Sequence, residues 1–407
     1  MRILYLCNCT VSVVTKALCQ KRSVYGGWLD KAIDYMQEDN DIIYMSPSTQ
    51  YTDKRISNSF RYIGFDNEHN NQTFFTNILT NFNPDIVHIW GSEFLHSYNM
   101  AIALKKVNML NRAILSIQGI ISEISKVYDY GLPKKVVNRW TIGDIFRKTN
   151  IKKDKLMFFK RGEFEIKTLK LIPNVIGRTE WDKAIVKKIN SNINYYFCNE
   201  SLRECFYDDI TDRVNKENKI FICQSNYPIK GFHLALEILN KVKKEFPDIK
   251  IVTTGTTFTP TNLLDKLKQS SYQKYVRSLI IKYNMKDNII YKGTLNAESI
   301  KEELMQSKLL FSPSVIENSP NSIGEAMILG IPVVTSNVGG VCSIISEKEG
   351  YLYNLDDIEK AKDYIVNILK NTLNEKIKLA KERAFNQYSI DSVKQNLNSI
   401  YGEIHGK

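Results

Sequence analysis

One stretch, residues 311–340 (FSPSVIENSPNSIGEAMILGIPVVTSNVGG), constrains the fold more than any other part of the chain. Residues 309–311 before it and 331–335 near its end are short apolar runs that read as buried strands. Between them Ser319 suits an N-cap, and Pro320 suits the first helical position, where its missing N–H would be unpaired anyway. Gly330 and Pro332 stop the helix. Strand, loop, helix and strand in that order imply a parallel sheet. Such sheets bind ligands at their carboxyl edge. The loop carries Glu317 and the free amides of Asn321 and Ser322 to that edge, with Glu325 about one turn inside the helix. Helix-start amides suit phosphate and carboxylates suit sugar hydroxyls, so the pattern fits a sugar nucleotide. A plainer reading is open for the two glutamates alone: carboxylates near a helix start complement its dipole, worth ~0.3–1 kcal/mol.

Similar units recur along the chain. Residues 2–7, 85–90, 113–117 and 195–198 are apolar strands of a first half, and 220–223, 249–254, 288–291 and 309–311 continue a second. Gly26-Gly27 opens a helix with Trp28, Leu29, Ala32, Ile33 and Met36 on one face. A second helix, 232–246, follows Lys230-Gly231, and a helical pattern at 392–404 closes the chain. The polar segment 208–219 reads as a linker. The expected class is α/β, with a first domain at 1–212, a second at 213–390 and a terminal helix at 391–407.

The string E-N-S-P-N-S-I-G-E-A-M-x-x-G-x-P-V-V-x-S, followed by G-G, resembles the E-x7-E signature of retaining family-4 glycosyltransferases (glycosyl transferases group 1). The resemblance is strong over 220–350 and thinner before it, resting there on Gly26-Gly27, DIVHIWGSE and VIGRTEWDKA. It implies the GT-B fold: two facing Rossmann-like domains, an active site in the cleft between them, and a final helix crossing back to the first. It also implies a retaining, metal-independent transfer of a hexose-type sugar. The donor would be UDP- or GDP-linked, used as a co-substrate with no further cofactor, and the acceptor a saccharide or lipid-linked saccharide. Cell-envelope polysaccharide assembly is the implied setting.

Site residues follow from that resemblance. Lys230, in Q-S-N-Y-P-I-K-G-F-H, matches the family's lysine that holds the diphosphate, while Ser225 stands where an arginine is usual. Lys230 and Glu317 are the expected catalytic pair. Donor binding would fall to Gly26, Gly27, Ser225, Lys230, Glu317, Ser319, Asn321, Ser322 and Glu325. Glu317 would meet the hexose hydroxyls and Glu325 the ribose. Glu93, Gln118 and Arg178 are further cleft candidates. Arg178 would replace the missing arginine, or pair with Glu180 or Asp182 as a surface residue. Gln118 stands where relatives carry a histidine, and an amide cannot act as a base. His88 lies inside an apolar strand and reads as a core residue.

The seven cysteines show no C-x-x-C spacing, which points to reduced thiols in the cytoplasm rather than disulfides or zinc. Neither a D-x-D motif nor a metal triad is evident. The net charge of +12 concentrates at 147–170, where Arg147, Lys148, Lys152, Lys153, Lys155, Lys160 and Arg161 interleave with Ile151, Leu156, Met157, Phe158 and Phe159. That pattern fits the inner face of an anionic membrane or a solvated, partly buried loop. Nucleic acid is not an expected partner, because no recognition motif accompanies the charge. Two other functions stay open: a noncatalytic scaffold of similar fold, and a nucleotide-sugar epimerase.

Overall fold

The computed structural model describes residues 1–20, 27–37, 39–208, 218–371 and 374–406. The chain forms two α/β units. One comprises Met1–Ser122, Phe159–Arg203 and Tyr388–Lys407; the other comprises Glu123–Phe158 and Glu204–Gln387. Residues 123–158, read from sequence as part of the first domain, thus cluster with the second unit, because Tyr128, Val136, Val137 and Ile151 enter its core. Most of the expected linker lies outside the described residues.

Unit 1 is built on an eight-stranded sheet of β1 (Arg2–Cys7), β2 (Asp41–Pro47), β3 (Thr52–Arg55), β4 (Phe60–Phe65), β5 (Ile86–Trp90), β6 (Ala113–Ser116), β7 (Asn174–Gly177) and β8 (Asn194–Phe197). Their order is β3-β4-β2-β1-β5-β6-β7-β8. All neighbours pair in parallel except the antiparallel edge strand β3. Alternation along β1 shows why the run is apolar from Ile3 to Cys7. Leu4 and Leu6 join one buried layer, while Ile3, Tyr5 and Cys7 join the layer on the opposite face. The second layer includes Val393, Leu397, Ile400, Tyr401 and Ile404 of the terminal helix Ile390–His405. That helix belongs to unit 1, as the family resemblance implied.

Unit 2 has six parallel strands: β9 (Lys219–Ile222), β10 (Lys250–Thr253), β11 (Ile289–Tyr291), β12 (Leu309–Ser312), β13 (Val333–Ser336) and β14 (Tyr351–Tyr353). The order is β11-β10-β9-β12-β13-β14. The chain builds outward from β9 in one direction, then returns and builds outward in the other. Sheet order therefore reverses between β9 and β12, and the loops after those strands diverge there to leave a crevice. The helix Phe232–Glu245 packs Phe232, Leu236, Leu239 and Val242 into the core beneath.

Candidate functional site

The loops after β9 and β12 meet at that reversal. Gly231 has φ +67°, and a Cβ on it would lie 1.9 Å from the Pro313 carbonyl oxygen. No other residue allows so close an approach. The Val315 amide donates to the Ile229 carbonyl at 2.8 Å, locking the two loops together. Lys230 is thereby carried onto Glu317, with Nζ 2.6 Å from Oε1, and the Ser314 hydroxyl donates to the same oxygen at 2.7 Å. Burial alone would lower the Lys230 pKa, but the charge of Glu317 and its hydrogen bond outweigh it and hold the group above the ordinary lysine value. The lysine remains a cation.

A third loop, after β13, fixes Glu317 from behind. Gly339 has φ +55°, and a Cβ there would lie 2.0 Å from the Glu317 carbonyl oxygen. The Gly340 amide donates to that oxygen at 2.9 Å. The Gly-Gly pair that follows the E-x7-E string therefore positions its first glutamate.

The helix after Glu317 runs Asn321–Ile328, with Pro320 rather than Ser319 as its N-cap and no side-chain cap. Pro320 takes an extended conformation (φ −73°, ψ 113°) that cannot serve as a first helical residue, so the start moves one residue on. The Ile323 amide returns to the Pro320 carbonyl at 3.0 Å, and among the described residues the amides of Asn321 and Ser322 have no acceptor. Ser319 Oγ and Asn321 Oδ1 are also buried without a hydrogen-bond partner. Two open amides and two unpaired polar oxygens at one helix start form an inviting place for a polar ligand. Glu325, one turn on, is 3% exposed. Lys230, Glu317, Ser319, Asn321, Ser322 and Glu325 thus share one end of one sheet. Ser225 is buried, and its hydroxyl donates to the Thr254 carbonyl at 3.2 Å.

Other sequence candidates lie in unit 1. Arg178 is 5% exposed and donates to Glu200 at 2.8 Å and to the Gln118 carbonyl at 3.2 Å. Its side-chain partner is Glu200, not Glu180 or Asp182; Asp182 instead accepts from the Arg178 main chain at 3.0 Å. Gln118 donates its own amide to Glu200 at 2.8 Å. Glu93 is buried beside Arg161 at 2.8 Å; burial raises its pKa, and the guanidinium opposes the shift. His88 is fully buried, with Nδ1 2.6 Å from the Tyr401 hydroxyl and Nε2 2.6 Å from the Ser116 hydroxyl. Gly26 lies outside the described residues, and Gly27 is the first residue of the helix Gly27–Gln37.

Sequence reasoning missed Glu165. It is fully buried and accepts from the amides of Ile121 and Ser122 at 2.9 and 3.0 Å, and from the Ser122 hydroxyl at 2.6 Å. Burial pushes its pKa up to about 7 against those donors. A partner more than forty residues away leaves no local signal. The basic stretch forms the helix Ile151–Leu169, in which Ile151 is buried and Phe158 lies 4.8 Å from the Tyr128 ring centre. Leu156, Met157 and Phe159 are exposed. Among the described residues no helix is long and apolar enough to cross a membrane.

Comparison with known proteins bears on the family and the fold. Residues 207–388 match the family model "Glycosyl transferases group 1". Spore coat protein SA of Bacillus subtilis is 27% identical over 180 residues, 42% of this chain and 45% of that protein. The putative colanic acid biosynthesis glycosyltransferase WcaL of Salmonella typhimurium is 22% identical over 181 residues, 42% of this chain and 41% of that one. The matches thus span less than half the length of these curated relatives. Among solved structures, sucrose-phosphate synthase of Thermosynechococcus elongatus superposes over 100% of both chains at TM-score 0.68 and 13% identity. Anabaena HepE, solved with UDP and glucose, does so over 99% of this chain and 100% of its own at TM-score 0.66 and 13% identity. Residues 207–388 are thus similar to the glycosyl transferases group 1 family, and the two-unit chain has the GT-B fold of these solved structures.

Proposed function

We propose that the protein is a retaining, metal-independent glycosyltransferase that moves a hexose-type sugar from a UDP- or GDP-linked donor to a saccharide or lipid-linked saccharide. The observation that carries the reading is the 2.6 Å Lys230–Glu317 pair at the sheet reversal, beside a helix start with open amides. Cleavage of a glycosyl–phosphate bond leaves charge on the departing diphosphate. A fixed cation therefore stabilises the transition state more than the ground state. Lys230 supplies that cation, and Glu317 holds it in place while offering its second oxygen to hexose hydroxyls. The Asn321 and Ser322 amides bind phosphate or sugar oxygens. Glu325 takes the ribose hydroxyls. Ser225 contributes no charge, so Lys230 carries the leaving group largely alone.

The setting is the cytoplasmic assembly of an envelope polysaccharide, in keeping with the WcaL relative's name. The basic stretch 147–170 holds the enzyme against the inner face of an anionic membrane that carries the acceptor. The test is incubation of purified protein with a panel of nucleotide sugars, with and without membrane extract, followed by proton NMR of the product anomer. Extract-dependent nucleotide release with retained configuration is expected, and Glu325→Ala should weaken donor binding. No release from any donor would favour a scaffold, and a new sugar nucleotide formed without acceptor would favour an epimerase.

A further inference from the structure

Two short helices of unit 2, Ile142–Arg147 and Leu263–Lys268, are stapled together although they are distant in sequence. Gly143 permits the contact, since a Cβ there would lie 2.1 Å from the Lys268 carbonyl oxygen. The Thr141 hydroxyl donates to the Gln269 carbonyl at 2.7 Å, and the Ser271 amide to Asp144 at 3.0 Å. These bonds bury the polar side of the joint and fix the pair as one body.

What the joint leaves outside is apolar. Phe146 is 79% exposed, Leu263 71%, Leu264 69% and Ile145 62%, with Trp140 and Ile142 nearly half exposed. Ile142, Ile145 and Phe146 follow helical spacing and share one face, as do Leu263 and Leu267. Large apolar residues scattered singly need no explanation, but a cluster on two coupled helices marks a docking surface. Its surroundings are cationic: residues 134–155 hold eight Lys or Arg against two Asp. Both of those Asp are engaged locally, Asp144 in the joint and Asp154 by the Thr149 hydroxyl. Protruding aromatic and aliphatic tips within a cationic rim complement an anionic lipid interface, where tips enter the acyl boundary and the rim meets headgroups.

We infer that this two-helix patch, Trp140 to Phe146 with Leu263 to Leu267, is the surface by which the protein docks on an anionic bilayer. The inference deepens the membrane part of the proposed function by adding a second segment that the basic stretch 147–170 does not contain. It is independent of the transfer chemistry, so either can fail alone.

The test is flotation of the full chain with vesicles of phosphatidylcholine alone or with phosphatidylglycerol at three to one. Wild type should bind the anionic vesicles, less at high salt, and ignore the neutral ones. The variant I145S/F146S/L263S/L264S should lose at least tenfold in binding with its nucleotide-sugar turnover in solution unchanged, while L156S/M157S should keep most of it. Should the fourfold variant not fold, quenching by bromine-labelled acyl chains, taken as wild type minus Trp140→Phe, reads the same contact. Absence of wild-type binding, equal binding by the fourfold variant, or no Trp140 quenching would overturn the inference. So would a wild-type dimer in light scattering that the fourfold variant converts to monomer, because a second copy would then cover the patch.

Discussion

Replacing Lys230 by methionine separates two roles that the geometry allows. The pair it forms with Glu317 is short, at 2.6 Å, but partly open to solvent, with side-chain exposures of 26% and 14%. As a tie between two loops it is worth about 1 kcal/mol or less, as for partly exposed ion pairs generally. Glu317 would not be orphaned, since the Ser314 hydroxyl still donates to it at 2.7 Å. The melting temperature should therefore fall by no more than about 2–4 °C. As the cation facing a departing diphosphate, the lysine is comparable to an oxyanion-hole donor, whose loss costs roughly 10²–10³ in turnover, about 2.7–4 kcal/mol. Methionine, one atom shorter, keeps most of the unbranched stem and removes the ammonium with its charge and its hydrogen bond to Glu317. The assay is steady-state nucleotide release alongside a thermal melt. A drop of two orders of magnitude in kcat, with KM changed only a few-fold and the melt nearly intact, is the expected result. Turnover within threefold of wild type, with a lowered melt, would show that Lys230 merely ties the loops and would refute the catalytic reasoning.

Three further outcomes follow from particular contacts. Gly339→Ala should lower turnover at least tenfold, because its methyl would meet the Glu317 carbonyl and push that residue out of place; Gly293→Ala, also at positive φ but with nothing within 4 Å, is the matched control and should cost only about 1–2 kcal/mol of stability in urea unfolding. Tyr401→Phe should cost about 1–3 kcal/mol in the same measurement, since it strips a partner from both His88 and Tyr5. Burial lowers the His88 pKa to about 3 from 6.5, so the folded chain holds it neutral while the unfolded chain takes up a proton below pH 6.5. Stability from this group is complete above pH 6.5 and is lost toward pH 3. His88→Gln should therefore flatten the acid slope by about 1.4 kcal/mol per pH unit between pH 6 and 4, and an unchanged slope would refute the assignment. Glu165, raised to about 7, acts in the opposite direction, favouring the fold as pH falls toward 4.5, and is common to both proteins in that comparison.

Strands such as β9 and β12 were legible in the sequence because parallel strands covered on both faces read as apolar runs, whereas β2, β3, β4 and β14 were not read from it. The loop-helix unit at 311–340 was legible because its signals are local: a proline before the helix and a glycine after it. Even there the cap was misplaced by one residue, since Pro320 adopts the extended conformation that Ser319 was expected to hold. Contacts made across the sequence left no such trace. Nothing near Gly339 reveals that it backs Glu317, nothing near Arg178 names Glu200 as its partner, and nothing near Gly143 reveals the helix Leu263–Lys268. The boundary of the first domain shifted for the same reason: residues 123–158 carry helical patterns that do not say which core they fill.

The alternation of chain segments between units has a consequence for biosynthesis. Everything that unit 2 needs has been made once Gln387 emerges, whereas unit 1 still lacks Tyr401, which closes over His88 and Tyr5. Unit 1 therefore matures only after every segment of unit 2 has been made. Until the helix Ile390–His405 arrives, the β1 and β5 side chains beneath it stand uncovered on a nascent chain, and a stop placed before that helix would damage unit 1 while leaving every segment of unit 2 in place.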